Sequence, residues 1–177
     1  MIEIWTDGAC KGNPGPGGFG LACFRKENET CDLIFAIHKS ANNTTNNREE
    51  LKAIIVALEW IKEQELYESV TIYSDSSYCV NMTNNWIHSW AMNNWVRANK
   101  KVVENIDLVK HLYSLITELA FKFQIVQTRG HCGIWENELV DALATGNDRK
   151  MNQVLKEADI NEVCEILFFD EDGFCKY

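Results

Sequence analysis

The sequence predicts an α/β fold built on one mixed sheet, and two observations support this prediction. The first is a series of three strand-like apolar runs separated by short polar or glycine-rich turns, as in an antiparallel meander: residues 2–7, 19–25 and 31–38. The second is an alternation of helical and strand-like patterns beyond residue 50, which favours parallel strands joined by crossovers. The expected sheet therefore has three antiparallel strands followed by two parallel ones.

The first helix has the clearest pattern of any element. Apolar residues recur at the spacing of an amphipathic helix, at Leu51, Ile54, Ile55, Leu58 and Ile61, after a polar run that can supply the N-cap. The remaining patterns predict a strand at about 70–74, a short helix after Asp75 and a tryptophan-rich segment at about 84–100. A helix at about 101–119, a strand at 121–127 and a last helix at 134–145 follow.

The chain of 177 residues is expected to form one domain, residues 1–150, with a C-terminal appendage. That appendage, residues 151–177, is acidic and is predicted to hold one short amphipathic helix. Its apolar residues favour packing on the body of the protein.

The cysteine pattern favours a cytoplasmic protein, which is also expected to be a monomer. The seven cysteines are odd in number and form no CxxC pair, which suits reduced thiols better than a disulfide framework. No apolar run of about 18 residues is present, so no membrane span is expected. The start of the chain lacks the basic and apolar regions of a signal peptide.

The net charge of −9 argues at first against a nucleic-acid partner, because attraction to phosphates is largely electrostatic. The charge is unevenly distributed, however. Residues 151–177 contain two lysines and seven acidic residues, whereas residues 84–101 contain Arg97, Lys100, Lys101 and no acid. The overall charge therefore does not exclude a nucleic-acid partner.

Four acidic residues stand beside turn or helix signals. Asp7 and Asp75 end strand-like runs, Glu50 begins the first long helix, and Asp141 lies in the last predicted helix. Oxygen ligands from strand ends and helices suit a hard cation such as Mg²⁺, and such a cation can activate water and stabilise phosphoryl charge.

Each of these signals also has a simpler explanation. An aspartate at a strand end is often a helix cap, and a carboxylate in the first turn of a helix is favoured by the helix dipole. The glycine-rich loop at residues 8–18 lacks the Gly-Lys-Ser/Thr ending of a nucleotide-binding loop and alone indicates a tight turn. His131, between two glycines, could be a solvated loop residue.

Taken together, four segments resemble type 1 ribonuclease H, in the family's order and spacing: residues 6–18, 45–51, 73–78 and 130–138 with Asp141. The resemblance covers roughly residues 1–148. It implies the ribonuclease H-like fold, a five-stranded mixed sheet with helices on both faces. It also implies that Asp7 and Asp75 lie on neighbouring central strands.

The resemblance further implies that the catalytic residues Asp7, Glu50, Asp75 and Asp141 hold two Mg²⁺ ions, with Mn²⁺ as an alternative. It also implies that His131 is catalytic and assists proton transfer. Glu50 is preferred to Glu49 because the family's glutamate directly precedes a leucine. Neighbouring helical residues point about 100° apart. Glu49 is therefore expected to face solvent.

Substrate-binding residues are also carried over from the resemblance. Asn13, Asn46 and Asn47 would meet the minor groove and ribose hydroxyls of a hybrid, and Thr45 with Asn105 would bind a phosphate of the DNA strand. Trp86 and Trp90 match the aromatic positions of the family's basic protrusion, although they could equally anchor its helices. The sequence departs from the family at residues 91–94, where Ala-Met-Asn-Asn replaces basic residues, and at Ser77, where glutamine is common.

The leading hypothesis is an endonuclease that cuts the RNA strand of RNA–DNA hybrids and leaves 5′-phosphate and 3′-hydroxyl ends. One alternative is the detached nuclease module of a reverse transcriptase, which a first strand immediately after Met1 disfavours. The other is a catalytically inactive hybrid-binding module, which the presence of all four acids and His131 disfavours.

Overall fold

The computed structural model describes all residues except 29, 65, 67, 120, 121, 131, 159–165, 171, 172, 176 and 177, and only the backbone of 166, 168–170 and 173–175. The strands are β1 (Ile2–Cys10), β2 (Gly15–Glu27), β3 (Thr30–Thr44), β4 (Val70–Ser74), β5 (Phe123–Gln127), β6 (Ile166–Asp170) and β7 (Gly173–Cys175). The helices are α1 (Asn46–Glu63), α2 (Ser77–Asn81), α3 (Ile87–Met92), α4 (Ile106–Glu118), α5 (Trp135–Ala144) and α6 (Asp148–Glu157), with a π-helical turn at Met82–Trp86.

The sheet has the strand order β5-β4-β1-β2-β3-β6-β7. β1, β2 and β3 pair antiparallel, whereas β4 pairs parallel to β1 and β5 parallel to β4. The predicted five-stranded arrangement of three antiparallel and two parallel strands is therefore confirmed.

Two further strands extend this sheet beyond β3. β6 pairs parallel to β3 through Ala36↔Ile166, and β7 pairs antiparallel to β6. Both come from the C-terminal segment, where the sequence predicts one short helix; the structure has α6 and then these strands. A short apolar run does not by itself distinguish a strand from a helical segment, so the pattern at 166–170 is ambiguous.

Two apolar cores lie on the two faces of the sheet. On one face α1 packs against β1, β2 and β4 and α4 packs on α1, with Ile4 among the fully buried side chains. On the other face α5 packs against β1, β2 and β3 and α6 packs on α5, with Trp5 and Phe24 in the core. Successive strand residues point to opposite faces, so β1 contributes to both cores. No helix of the described chain is long and apolar enough to cross a membrane.

Two glycines let helices approach the sheet closely where the acidic residues lie. A Cβ at Gly8 would overlap the backbone of Glu49 and Glu50, and a Cβ at Gly20 would overlap the backbone of Val140 and Ala144. The missing side chains therefore bring the start of α1 against β1 and the middle of α5 against β2.

Candidate active site

Asp7 and Asp75 are neighbours because β1 and β4 run parallel in register. Thr6 pairs with Ser74, so the next residue of each segment lies at the same edge of the sheet. Glu50, in the first turn of α1, reaches this edge across Gly8. Carboxylate oxygens of Asp7, Glu50 and Asp75 all lie within 4.8 Å of one another.

These three carboxylates open into a cavity of about 270 Å³. Asp141 on α5 and Asn46 at the start of α1 also line it, together with the backbone segment that follows Asp7: Gly8, Ala9 and Cys10. The cavity thus contains all four acidic residues selected from the sequence.

The electrostatics of the cluster favour protons or cations. Burial, followed by the negative charges of Asp75 and Asp141, raises the pKa of Asp7 to about 7, although the Gly8 N–H donates to Asp7 Oδ1 at 2.9 Å. Burial and the charges of Asp7 and Asp75 also raise the pKa of Glu50 well above its ordinary value. In both residues the charged form is disfavoured when no cation is nearby.

One oxygen of the cluster has no hydrogen-bond partner. Glu50 Oε2 is buried and receives no hydrogen bond from any described residue. A buried acceptor without a partner normally carries a large desolvation cost. Because every side-chain donor atom in this cluster is a carboxylate oxygen, the residues present fit a hard divalent cation.

Asp141 occupies a different position in the site. It lines the cavity but does not belong to the group whose oxygens lie within 4.8 Å of one another. Instead its Oδ2 accepts a hydrogen bond from Lys150 Nζ at 2.6 Å, and the same ammonium lies 2.5 Å from Glu138 Oε2.

The expectation that Glu49 faces solvent is wrong. Glu49 is 1% exposed, and its Oε1 accepts hydrogen bonds from Thr44 Oγ1 and Lys52 Nζ, both at 2.6 Å. Adjacent helical residues do point in different directions, but both directions are covered here. Glu50 points towards β1, and Glu49 points towards Thr44 of β3. Glu50 alone of the two joins the acidic cluster.

Of the other residues selected from the sequence, the three asparagines Asn13, Asn46 and Asn47 lie at or near the cavity. His131 lies outside the described residues. Asn13 lies beside the acidic cavity, where its Oδ1 accepts a hydrogen bond from the backbone N–H of Asn46, a residue that lines it, at 2.9 Å. Asn46 is exposed and lines the cavity, and the neighbouring Asn47 is half-buried.

A second polar cluster lies farther along α1. Thr45 caps the helix by accepting from the backbone N–H of Arg48, and Arg48 donates to Asn105 Oδ1 at 3.3 Å. Arg48 also forms a two-point ion pair with Asp107, at 3.0 and 2.7 Å. Asn105 has a left-handed backbone conformation at the start of α4, which asparagine tolerates better than most residues.

The tryptophan-rich segment forms the turn and helix from Met82 to Met92. Trp86 is 40% exposed and its ring contacts Trp90 at a centroid distance of 5.8 Å. Trp90 packs against the core, so it also anchors this segment. Arg97 pairs with Glu104 at 3.1 Å. Met92, one of the four residues at 91–94 that replace the family's basic residues, is 88% exposed.

Two residues that contact these sites were not singled out from the sequence. Arg48 could have been found, since a cation in the first turn of a helix is disfavoured by the dipole and therefore needs an anionic partner. Lys150 gave no such signal in the sequence. It contacts Asp141 because α5 ends at Ala144 and a separate helix, α6, packs back on it, and the spacing of the two residues along the chain does not indicate this.

The fold and the site together define an α/β protein with a candidate divalent-cation centre at the edge of two parallel strands. Residues 1–148 match the sequence model of the RNase H family. The chain belongs to this family, and the resemblance to type 1 ribonuclease H is confirmed.

Similarities to individual ribonucleases H support this assignment. A ribonuclease H from Methylobacillus flagellatus is 43% identical over 159 residues, which cover 88% of this chain and 94% of that protein. The crystal structure of LC9-RNase H1, described as a type 1 RNase H with the type 2 active-site motif, shares 27% identity and a TM-score of 0.66 over 81% of this chain and 69% of its own. LC11-RNase H1, solved in complex with an RNA/DNA hybrid, shares the fold with a TM-score of 0.60 and 22% identity over 88% of this chain and 99% of its own.

Proposed function

We propose that this protein is an endonuclease that hydrolyses the RNA strand of RNA–DNA hybrids and leaves 5′-phosphate and 3′-hydroxyl ends. The observation that carries the proposal is the cluster of Asp7, Glu50 and Asp75, with one buried oxygen of Glu50 lacking a partner. Family membership and a ribonuclease H relative at 43% identity support it.

Asp7, Glu50, Asp75 and Asp141 would hold two Mg²⁺ ions, or Mn²⁺ in their place. When bound, such ions supply an activated water and stabilise the charge on the leaving 3′ oxygen. The protein's contribution would be to hold the carboxylates of Asp7, Glu50 and Asp75 close together before any ion arrives, with Asp141 of α5 lining the same cavity. His131, whose role is carried over from the resemblance to the family, would assist proton transfer and product release.

Selection of a hybrid would come from contacts to ribose and groove. Asn13, Asn46 and Asn47 offer neutral amides, which both donate and accept, to the minor groove and the 2′-hydroxyls. Asn13 and Asn46 are already joined by a hydrogen bond beside the cavity. Recognition of RNA and cleavage would therefore involve one continuous surface.

A DNA-strand phosphate would bind where Thr45, Arg48 and Asn105 meet. Arg48 supplies the positive charge that the two neutral residues lack, and it would exchange Asp107 for phosphate. The exchange is plausible on energetic grounds because the Arg48–Asp107 pair is exposed on the aspartate side, and exposed pairs are worth little. Trp86 and Trp90 would contact the hybrid farther along the same side of the protein.

The test is a cleavage assay with the full-length protein on three labelled duplexes: RNA–DNA hybrid, RNA–RNA and DNA–DNA, each with Mg²⁺ or with a chelator. Only the RNA strand of the hybrid should be cut, only with Mg²⁺, with the stated ends. Asp75→Asn should remove cleavage, whereas Asp32→Asn, at an exposed position of β3, should not. Hybrid binding without any cleavage would instead identify an inactive binding module.

The cytoplasmic location and the monomeric state stay predictions from the sequence. Size-exclusion chromatography with light scattering on the free protein and on its hybrid complex would test the second.

A further inference from the structure

Lys150 is a basic side chain that contacts Asp141, one of the four acidic residues that line the cavity. Its ammonium lies between Asp141 Oδ2 at 2.6 Å and Glu138 Oε2 at 2.5 Å. The two carboxylates are three residues apart on α5, so they occupy neighbouring positions on one side of that helix. Two of the other three cavity acids, Asp7 and Glu50, make no ion pair with a described lysine or arginine.

The position of Lys150 is fixed by the packing of α6. Asn147 caps this helix by accepting from the backbone N–H of Lys150 at 3.0 Å. Met151 and Val154, on the next turn, are buried in the core that α5 shares with the sheet. The packing of α6 therefore places the backbone of Lys150 beside α5, from where its partly exposed side chain reaches both carboxylates.

We propose that Lys150 is an internal counter-cation of the metal site, which a divalent cation must displace from Asp141 in order to use that carboxylate. The inference rests on the metal site of the proposed function and adds a determinant of its affinity. Asp141 lies outside the close group of Asp7, Glu50 and Asp75. It also differs from Asp7 and Glu50 because it pairs with a lysine. Lys150 is thus a positioning residue for Asp141 and not a catalytic residue.

Glu138 makes the displacement feasible. When a metal ion engages Asp141, the ammonium retains Glu138 as a partner and does not become an unpaired charge close to the site. Without the metal, Lys150 offsets the repulsion between the two neighbouring carboxylates of α5. The expected consequence is a higher Mg²⁺ concentration for half-saturation than the same site would need without Lys150.

The experiment is calorimetric titration of Mg²⁺ into the metal-free, full-length protein, without substrate. Lys150→Gln should bind Mg²⁺ about two- to fivefold more tightly, which is the range expected from losing one partly exposed ion pair. The matched control is Lys156→Gln, which removes the same charge from an exposed position of the same helix. The control should bind Mg²⁺ with unchanged affinity.

Two further variants keep the inference testable. Lys150→Arg retains the charge and should bind Mg²⁺ no more tightly than the unsubstituted protein, even if Lys150→Gln folds poorly. In an Asp141→Asn background, adding Lys150→Gln should have no effect on affinity, because the contested carboxylate is gone.

Unchanged or weaker Mg²⁺ binding by a folded Lys150→Gln protein would overturn the inference and leave the proposed function intact. Equal tightening by Lys150→Gln and Lys156→Gln would also overturn it, since general electrostatics would then suffice. If the unsubstituted protein bound no divalent cation at all, the proposed function would fail as well.

Discussion

Strand β1 carries two buried carboxylates on the same face, and their surroundings differ in one decisive respect. Glu3, 6% exposed, lies 2.8 Å from Lys26 Nζ and accepts a hydrogen bond from the Trp5 indole at 3.3 Å. Lys26 also bonds Glu136 on α5 at 2.6 Å. Asp7, four residues on and 7% exposed, has Glu50 and Asp75 as its close neighbours and forms no ion pair with a described residue.

The difference shows how a structural acid can be told from a ligand in this fold. Burial alone would lower the pKa of Lys26, but its hydrogen bonds with Glu136 and Glu3 raise that pKa above its ordinary value, so the cation persists. At Asp7 burial and like charges raise the pKa to about 7. The carboxylates of Glu3 and Glu136 therefore share the protein's own lysine, whereas the cluster of Asp7, Glu50 and Asp75 requires protons or an external cation.

The largest expected effect is that of Asp7→Asn on catalysis. Removing this charge from the centre of the cluster should abolish Mg²⁺-dependent cleavage of the hybrid, as should Asp75→Asn, because cation binding is lost. Near-normal cleavage by either variant would rule out that residue as a ligand. Cleavage rates on labelled hybrid would be compared with those of Asp32→Asn.

The same variant should gain stability when metal is absent. Unfolded Asp7 ionises near its ordinary value of 3.8, whereas the folded residue keeps its proton to about pH 7. The folded state binds more protons across this window, so metal-free stability falls as the pH rises through it and then levels off. Above pH 7, Asp7→Asn should unfold with a free energy higher by on the order of 1 to 3 kcal/mol, measured by urea unfolding in chelator.

Lys26→Met reverses the comparison by turning the paired cluster into an unpaired one. Because Glu3 and Glu136 would keep buried charges without a cation, the variant should lose about 2 to 4 kcal/mol of unfolding free energy at neutral pH. Acid should recover part of this loss by protonating the two carboxylates. A loss that is independent of pH would mean that packing of the lysine chain matters more than its charge.

Mg²⁺ itself should act on one cluster only. At a concentration of 100 times its dissociation constant, it should stabilise the unsubstituted protein by about 2.7 kcal/mol. Asp7→Asn should lose this gain, whereas Lys26→Met should keep it, since Lys26 lies on β2 and contacts β1 at Glu3, four residues before Asp7. Thermal unfolding with and without Mg²⁺ measures both. An equal gain in all three proteins would indicate nonspecific binding.

The sequence was sufficient for the strands and helices whose patterns are local. The stripe from Leu51 to Ile61 can be identified along the chain, as can Asp7 within β1 and Asp75 directly after β4. The structure brings Asp7, Glu50 and Asp75 together. What remained hidden depends on contacts between distant segments. The Lys26 pairs span β2, β1 and α5, and the pairing of β6 with β3 joins residues 130 positions apart, so no local pattern predicts either.

Glu49 provides the smallest and most local test, because it adjoins Glu50 and is equally buried but has its own partners. Glu49→Gln should lose the ion pair with Lys52 while the amide oxygen still accepts from Thr44, at a cost of about 1 to 2 kcal/mol in unfolding free energy. Hybrid cleavage and Mg²⁺ affinity should stay unchanged. Glu50→Gln should do the opposite, with cleavage lost and metal-free stability level or higher, because repulsion with Asp7 and Asp75 is relieved. If Glu49→Gln removed cleavage while the protein stayed folded, the presence of a cation partner would no longer separate structural acids from metal ligands in this protein.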